Sequence, residues 1–101
     1  MNKLEFHKLA NTEINHLLQK IEEQNNPDIV EADILDEILT IELLGNRQYV
    51  INKQSYAQQI WLSSPISGAH HFSYDLQKKE WITKKGLRLG KLLSEELGFA
   101  L

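Results

Sequence analysis

A chain of 101 residues, 42% hydrophobic and 25% charged, can build one compact domain and has no material for a second core. It contains no cysteine, so disulfides, thiolate metal sites and cysteine nucleophiles are excluded and any metal must take oxygen or imidazole ligands. The formal charge of −3 hides a split, net −7 over residues 1–44 and net +4 over residues 45–101, and the scattered basic groups beside an acidic half argue against nucleic acid as a partner.

The opening Met1-Asn2-Lys3-Leu4-Glu5-Phe6-His7 has neither the basic and apolar regions of a signal peptide nor the Arg- and Ser-rich character of a transit peptide. On that ground the expected location is a bacterial cytoplasm. No apolar run approaches the ~20 residues that span a bilayer, so no membrane partner is expected. From Phe6 to Ile21 the apolar residues Phe6, Ala10, Ile14, Leu17, Leu18 and Ile21 recur in steps of three and four, which predicts an amphipathic helix. Gln24-Asn25-Asn26-Pro27 breaks it. Val30, Ala32 and Ile34 then alternate with Glu31 and Asp33, predicting a strand with one buried face and one face of carboxylates.

Asp36-Glu37 is a weak turn signal, Leu39, Ile41 and Leu43 alternate again, and Gly45-Asn46 turns the chain into Tyr49 to Asn52 as a hairpin. Short strands are predicted at Gln58 to Ser63, His70 to Asp75 and Glu80 to Thr83, separated by turns at Ser64 to Gly68 and Gln77 to Lys79. Leu89, Leu92, Leu93 and Leu97 predict a second helix, stopped by Gly98. This order implies a single α+β domain over residues 1–101: a two-layer α/β sandwich with the N- and C-terminal helices packed on one face of an antiparallel sheet of five to six strands. The other sheet face is left open.

Three sets of residues carry the functional reading. Asn52, Gln54, Gln58, Gln59 and Trp61 put amides and an indole where a plain sheet surface would carry Lys, Glu and Thr, which is the composition of an interface. Ile60 and Leu62 take the buried phase of that strand, so Trp61 falls on the open face; Trp81, beside Ile82, is placed in the core. Five acids, Glu22, Glu23, Asp28, Glu31 and Asp33, are expected to converge along one edge. Hard cations such as Fe²⁺, Fe³⁺, Ca²⁺ or Mn²⁺ take oxygen ligands, and a ridge of this kind offers them weak, exchangeable sites; a solvated acidic face accounts for the same residues equally well. The third set is the histidines. His7 and His16 fall on opposite sides of the helix and His70 and His71 on opposite sides of one strand, with His71 beside the open face, where either a partner contact or an ordinary surface histidine fits. Lys84, Lys85, Arg88 and Lys91 read as a solvated helix flank. No Gly-x-Ser-x-Gly turn or phosphate loop occurs, which argues against a hydrolase or a kinase.

The segments Ile51-Asn52-Lys53-Gln54, Gln59 to Gly68 (QIWLSSPISG), His70-His71-Phe72 and Glu80-Trp81-Ile82, behind an acidic first helix and strand, resemble the frataxin family, and the start at Met1 resembles its bacterial, CyaY-type members. The resemblance runs over essentially the whole chain. It implies an iron-binding regulator or adaptor of iron–sulfur cluster assembly, not an enzyme, that docks on the cysteine desulfurase and its scaffold protein and modulates sulfur transfer. Iron, as Fe²⁺ or Fe³⁺, would be bound weakly and reversibly by a ridge of Glu22, Glu23, Glu31 and Asp33 with Asp28 adjacent. Asn52, Gln54 and Trp61 would fall on the surface that contacts the assembly machinery, and His71 where mitochondrial members carry a basic residue. Gln19, Asn25 and Ile29 stand where bacterial relatives often have acids, so this ridge is thinner. The short tail after Gly98 is expected to cover little of the groove between the helices, with lower stability than in longer-tailed relatives. A monomer is expected, with iron-dependent oligomers open. The rival readings are a ferroxidase, iron-storage or iron-donor protein, and a protein-binding module that does not use iron.

Overall fold

The computed structural model describes residues 1–101. Its elements in chain order are α1 (Lys3–Glu23), β1 (Ile29–Leu35), β2 (Ile38–Leu43), β3 (Arg47–Gln54), β4 (Gln59–Ser64), β5 (Gly68–Asp75), β6 (Glu80–Ile82) and α2 (Leu89–Leu97). Helix α1 forms because Phe6, Ala10, Ile14, Leu17 and Ile21 line one stripe, and all five are buried. Asn2 caps it: its side-chain oxygen accepts from the Glu5 N–H at 2.8 Å, and its amide donates to Glu5 Oε1 at 2.7 Å. The helix ends at an extended Gln24, just ahead of Pro27.

The six strands follow one another as an antiparallel meander in the order β1-β2-β3-β4-β5-β6. Both helices pack on one face. Leu39, Ile41, Tyr49, Ile51, Ile60, Leu62, Phe72 and Trp81 meet the α1 stripe together with Leu89 and Leu93 of α2 in a single core. This is the expected two-layer α+β sandwich. Trp81 is buried as expected, edge-on to Phe6 and Tyr74 with ring centroids 6.0 and 5.2 Å away.

One strand departs from the expected alternation. Val30 was expected inside with Ala32 and Ile34, but it is 59% exposed. The pairing of β1 with β2 slips by one residue between Ile29 and Glu31, and this bulge turns Val30 outward so that Ile29 joins Ala32 and Ile34 against the core. The β1–β2 connection is the Asp36-Glu37 turn, with φ of 53° and 67°, the two left-handed positions that a two-residue hairpin requires.

Helix α2 stops at Gly98, whose φ of 85° accommodates the reversal. Just before it, Glu96 fastens the helix to the sheet. Its Oε1 accepts from Tyr49 Oη at 2.9 Å and Ser64 Oγ at 2.6 Å, and its Oε2 from Ser67 Oγ at 2.5 Å. Burial pushes the Glu96 carboxyl up, but the hydrogen bonds from Ser64, Ser67 and Tyr49 outweigh it and hold the group below its ordinary value. The same contact acts oppositely on Tyr49, whose phenol is pushed up to about 12 by burial and then by the Glu96 carboxylate. Beyond Gly98 the chain reaches back to the core. Phe99 and Leu101 pack on it, and the Leu101 N–H donates to Ser94 Oγ at 3.0 Å. An opening of about 410 Å³ remains beside them, lined by Trp81, Leu89 and Glu13, whose carboxyl burial pushes above its usual value.

Candidate functional site

Because Leu39, Ile51, Leu62 and Phe72 face the helices, the residues between them face away, and strand register aligns those. Leu35 pairs with Ile38, Ile38 with Asn52, Asn52 with Trp61 and Trp61 with His71, making one lateral row across five strands. Directly opposed side chains on an antiparallel sheet touch their neighbours. Asn52, Trp61 and His71 are therefore contiguous, and Gln54 lies in the adjoining row with Gln59 and Ser73.

Trp61 is held before any partner arrives. It is half-buried, its ring lies flat on His71 with centroids 4.2 Å apart and planes 10° from parallel, and its Nε1–H donates to Gln59 Oε1 at 2.9 Å. Gln59 is in turn fixed by a 3.3 Å bond from its amide to Ser73 Oγ. An aromatic whose orientation is already set loses little freedom on binding. Asn52 donates to the Lys53 carbonyl at 3.2 Å, and Gln54 Oε1 accepts from the Ala57 N–H at 2.7 Å.

Gln58 does not belong to this face. It has φ of 53°, sits in the turn before β4, and donates its amide to the Met1 carbonyl at 3.0 Å. A residue in the left-handed region is part of the reversal and not of the strand, so the strand starts one residue later than expected. Two residues missed from sequence extend the row: Leu35 and Ile38 are 70% and 40% exposed on the open face. Their signal was available, since placing Leu39, Ile41 and Leu43 inside forces Ile38 outside.

The five acids are all exposed, and they occupy two layers. Glu22 and Glu23 close α1, Asp28 lies in the loop ahead of β1, and Glu31 and Asp33 point from β1 to the open face, because Ala32 and Ile34 point to the helices. The expected convergence is thus a division between two layers, with no three carboxylates or imidazoles gathered where they could hold one ion. Glu42, overlooked from sequence as a site residue, stands directly opposite Glu31. Both placements work against folding: acids in the last turn of a helix oppose its dipole, and like charges directly across two strands repel. At the helix end, the 3.8 Å contact from Lys20 and a 3.5 Å bond from the Gln19 amide to Glu23 offset the first of these.

The family model described as Frataxin-like domain matches residues 1–101. Frataxin, mitochondrial, of Arabidopsis thaliana is 46% identical over 97 residues, covering 92% of this chain and 52% of that protein. The chain therefore spans about half the length of that relative. Among solved structures, frataxin from Psychromonas ingrahamii, a model for stability modulation within the CyaY protein family, superposes with a TM-score of 0.82 at 30% identity over 96% of this chain and 89% of that one. Trimeric frataxin from Saccharomyces cerevisiae complexed with ferrous iron gives a TM-score of 0.79 at 37% identity over 89% of this chain and 82% of that one. The expected bacterial cytoplasm is overturned by the relatives. The proteins matched in A. thaliana, S. cerevisiae and Schizosaccharomyces pombe are mitochondrial frataxins.

Proposed function

Given that the chain belongs to the frataxin family, we propose that it serves iron–sulfur cluster assembly and iron handling as an adaptor and not as a catalyst. In this reading the Trp61 row docks on a cysteine desulfurase and its scaffold protein, and docking modulates the passage of sulfur to the scaffold. Carboxylates at the β1 edge and the end of α1 attract Fe²⁺ and basic patches of the partner, and they speed encounter more than they add affinity. Iron is bound weakly and reversibly, as cargo. The observation that carries the reading is the row Leu35, Ile38, Asn52, Trp61 and His71, apolar at one end and aromatic at the other, with the indole already fixed by Gln59 and His71. A desolvated tryptophan ringed by hydrogen-bonding side chains is the usual anatomy of an interface hot spot.

Sulfide production by the cognate desulfurase, measured with and without scaffold, this protein and Fe²⁺, tests the reading. The wild-type chain should change the rate, and a variant with Glu22, Glu23, Glu31 and Asp33 all replaced by Lys should lose both the rate effect and iron association. An unchanged rate with wild type at saturating concentration would refute it. A second reading, an iron-storage or ferroxidase assembly, draws support from the yeast frataxin solved as a trimer complexed with ferrous iron. Oxygen uptake on Fe²⁺ addition that saturates at a fixed ratio, together with sedimentation as a larger species, would favour it over the adaptor.

A further inference from the structure

Beside the docking row, and sharing His71 with it, lies a cleft that the acidic edge does not reach. Strand β6 pairs with β5 only at Ser73, Tyr74 and Asp75. The first part of β5, Gly68 to Phe72, is bonded to β4 on one side, and no backbone hydrogen bond joins its other side to the Thr83 to Leu87 segment. That segment instead closes on itself, through Thr83 N–H to the Leu87 carbonyl at 2.9 Å and Gly86 N–H to the Thr83 carbonyl at 2.9 Å. Between the two is an open cleft of about 670 Å³.

The charged residues on its walls are the lysines Lys84 and Lys85. Lys84, Lys85, His70 and His71 line it together with Gln59 and Ser67, and no carboxylate does. Glu96, which touches the lining residue Ser67, is engaged by Tyr49, Ser64 and Ser67. Two of the lining residues also belong to the docking face: His71 carries the Trp61 stack, and Gln59 accepts the indole N–H. The cleft is therefore continuous with the row.

We propose that this cleft receives an acidic, extended segment of the docked partner, which adds as a strand to the free edge of β5 while its carboxylates meet Lys84 and Lys85. Five residues of open edge span ~17 Å, enough for an extended segment of about the same length to pair with them. Charge selects the occupant. Lysines beside an open edge discourage pairing with a second copy of this chain, which carries the same charge there, yet leave the edge free for a strand of opposite sign. The inference rests on the docking reading only in naming the segment as the partner's, and its test needs no desulfurase.

The test uses the isotope-labelled full chain titrated with a blocked pentapeptide alternating glutamate and valine, its lysine counterpart, and citrate. The acidic peptide should shift the amide signals of Gly68, Ala69, His70, His71, Lys84 and Lys85 saturably. The double variant K84E/K85E should weaken it about tenfold or more and should bind the lysine peptide instead, because these charges are what discriminates. K84Q/K85Q, which keeps the length without the charge, should fall between. Three results would overturn the proposal: no saturable shift at millimolar peptide, equal binding of the acidic peptide by K84E/K85E, or citrate shifting the same signals with the same affinity, which would make the cleft a small-anion site. None of these touches the effect of Trp61 on docking, so failure of the cleft and failure of the row are separable.

Discussion

Trp61→Ala separates a docking residue from a core residue, because the structure assigns the two cases different magnitudes. Trp61 is half-buried on the uncovered face, whereas its neighbour Ile60 is fully buried beneath the helices. Truncating the indole removes the flat stack on His71, about 0.5–1.5 kcal/mol, and the bond to Gln59, about 0.5–1.5 kcal/mol. Gln59 is left beside water and is not orphaned, so no further desolvation term arises. The folding loss should then be about 1–3 kcal/mol, against the ~5–15 kcal/mol of an ordinary domain, and the variant stays folded. Ile60→Ala should cost more, about 2–5 kcal/mol, because it opens a cavity in the core. Docking should show the reverse order. Loss of a central tryptophan weakens an interface by ~2 kcal/mol or more, roughly 30-fold, whereas Ile60 touches no partner. Urea denaturation and calorimetric titration against the desulfurase–scaffold complex measure the two quantities on the same samples. Trp61→Phe adds a control that keeps a ring on His71 but removes the N–H. The reasoning is refuted if Trp61→Ala unfolds the protein as a core truncation would, or if it changes the docking constant less than threefold.

Three further outcomes follow from the charges. Glu42→Gln removes the repulsion with Glu31 and should raise the melting temperature in metal-free buffer, by about 0.2–1 kcal/mol of stability, and under the proposed iron role Fe²⁺ should stabilise the wild type more than this variant; a lowered melting temperature without metal would contradict it. Tyr49 binds its proton more tightly folded than unfolded, since its phenol is pushed from 10.0 up to about 12, so its contribution is present below pH 10 and fades as pH rises from 10 to 12. At ~1.4 kcal/mol per unit this amounts to about 2–3 kcal/mol, and Tyr49→Phe should flatten alkaline unfolding over that interval; an unchanged alkaline limb would count against the buried bond to Glu96. Glu96 has the opposite sign. Its folded value lies below 4.5, so its stabilisation is present above pH 4.5 and is lost as pH falls beneath it, and Glu96→Gln should shallow the acid limb of a stability profile.

Much of this architecture was legible because long, regular patterns report on faces. The α1 stripe, the Leu39, Ile41 and Leu43 alternation and the Gly98 stop each place several residues at once, and packing accepts all of them. What escaped was local. The bulge at Val30 and the left-handed Gln58 are single-residue events that an alternating pattern runs straight through, and each moves a side chain off its expected face. The layout of the acids escaped for another reason: Glu22 and Glu31 are carried by different layers, and a list of acids has no layers. Ile38 and Glu42 are the converse case, found only by asking what lies opposite residues already assigned. Lys84 and Lys85 looked like a solvated helix flank because nothing in the chain announces that β6 stops after three residues and leaves an edge open beside them.

The Trp61 indole N–H gives the account its most direct test, since this one proton marks the aromatic end of the row. In a labelled sample titrated with the desulfurase–scaffold complex, its signal should shift or broaden at the lowest ratio, together with those of Asn52, Gln54 and His71, while the amides of Ala10, Ile14 and Leu93 on the helix side stay in place. Perturbation confined to the helix layer, with the indole signal unmoved at saturation, would contradict the account.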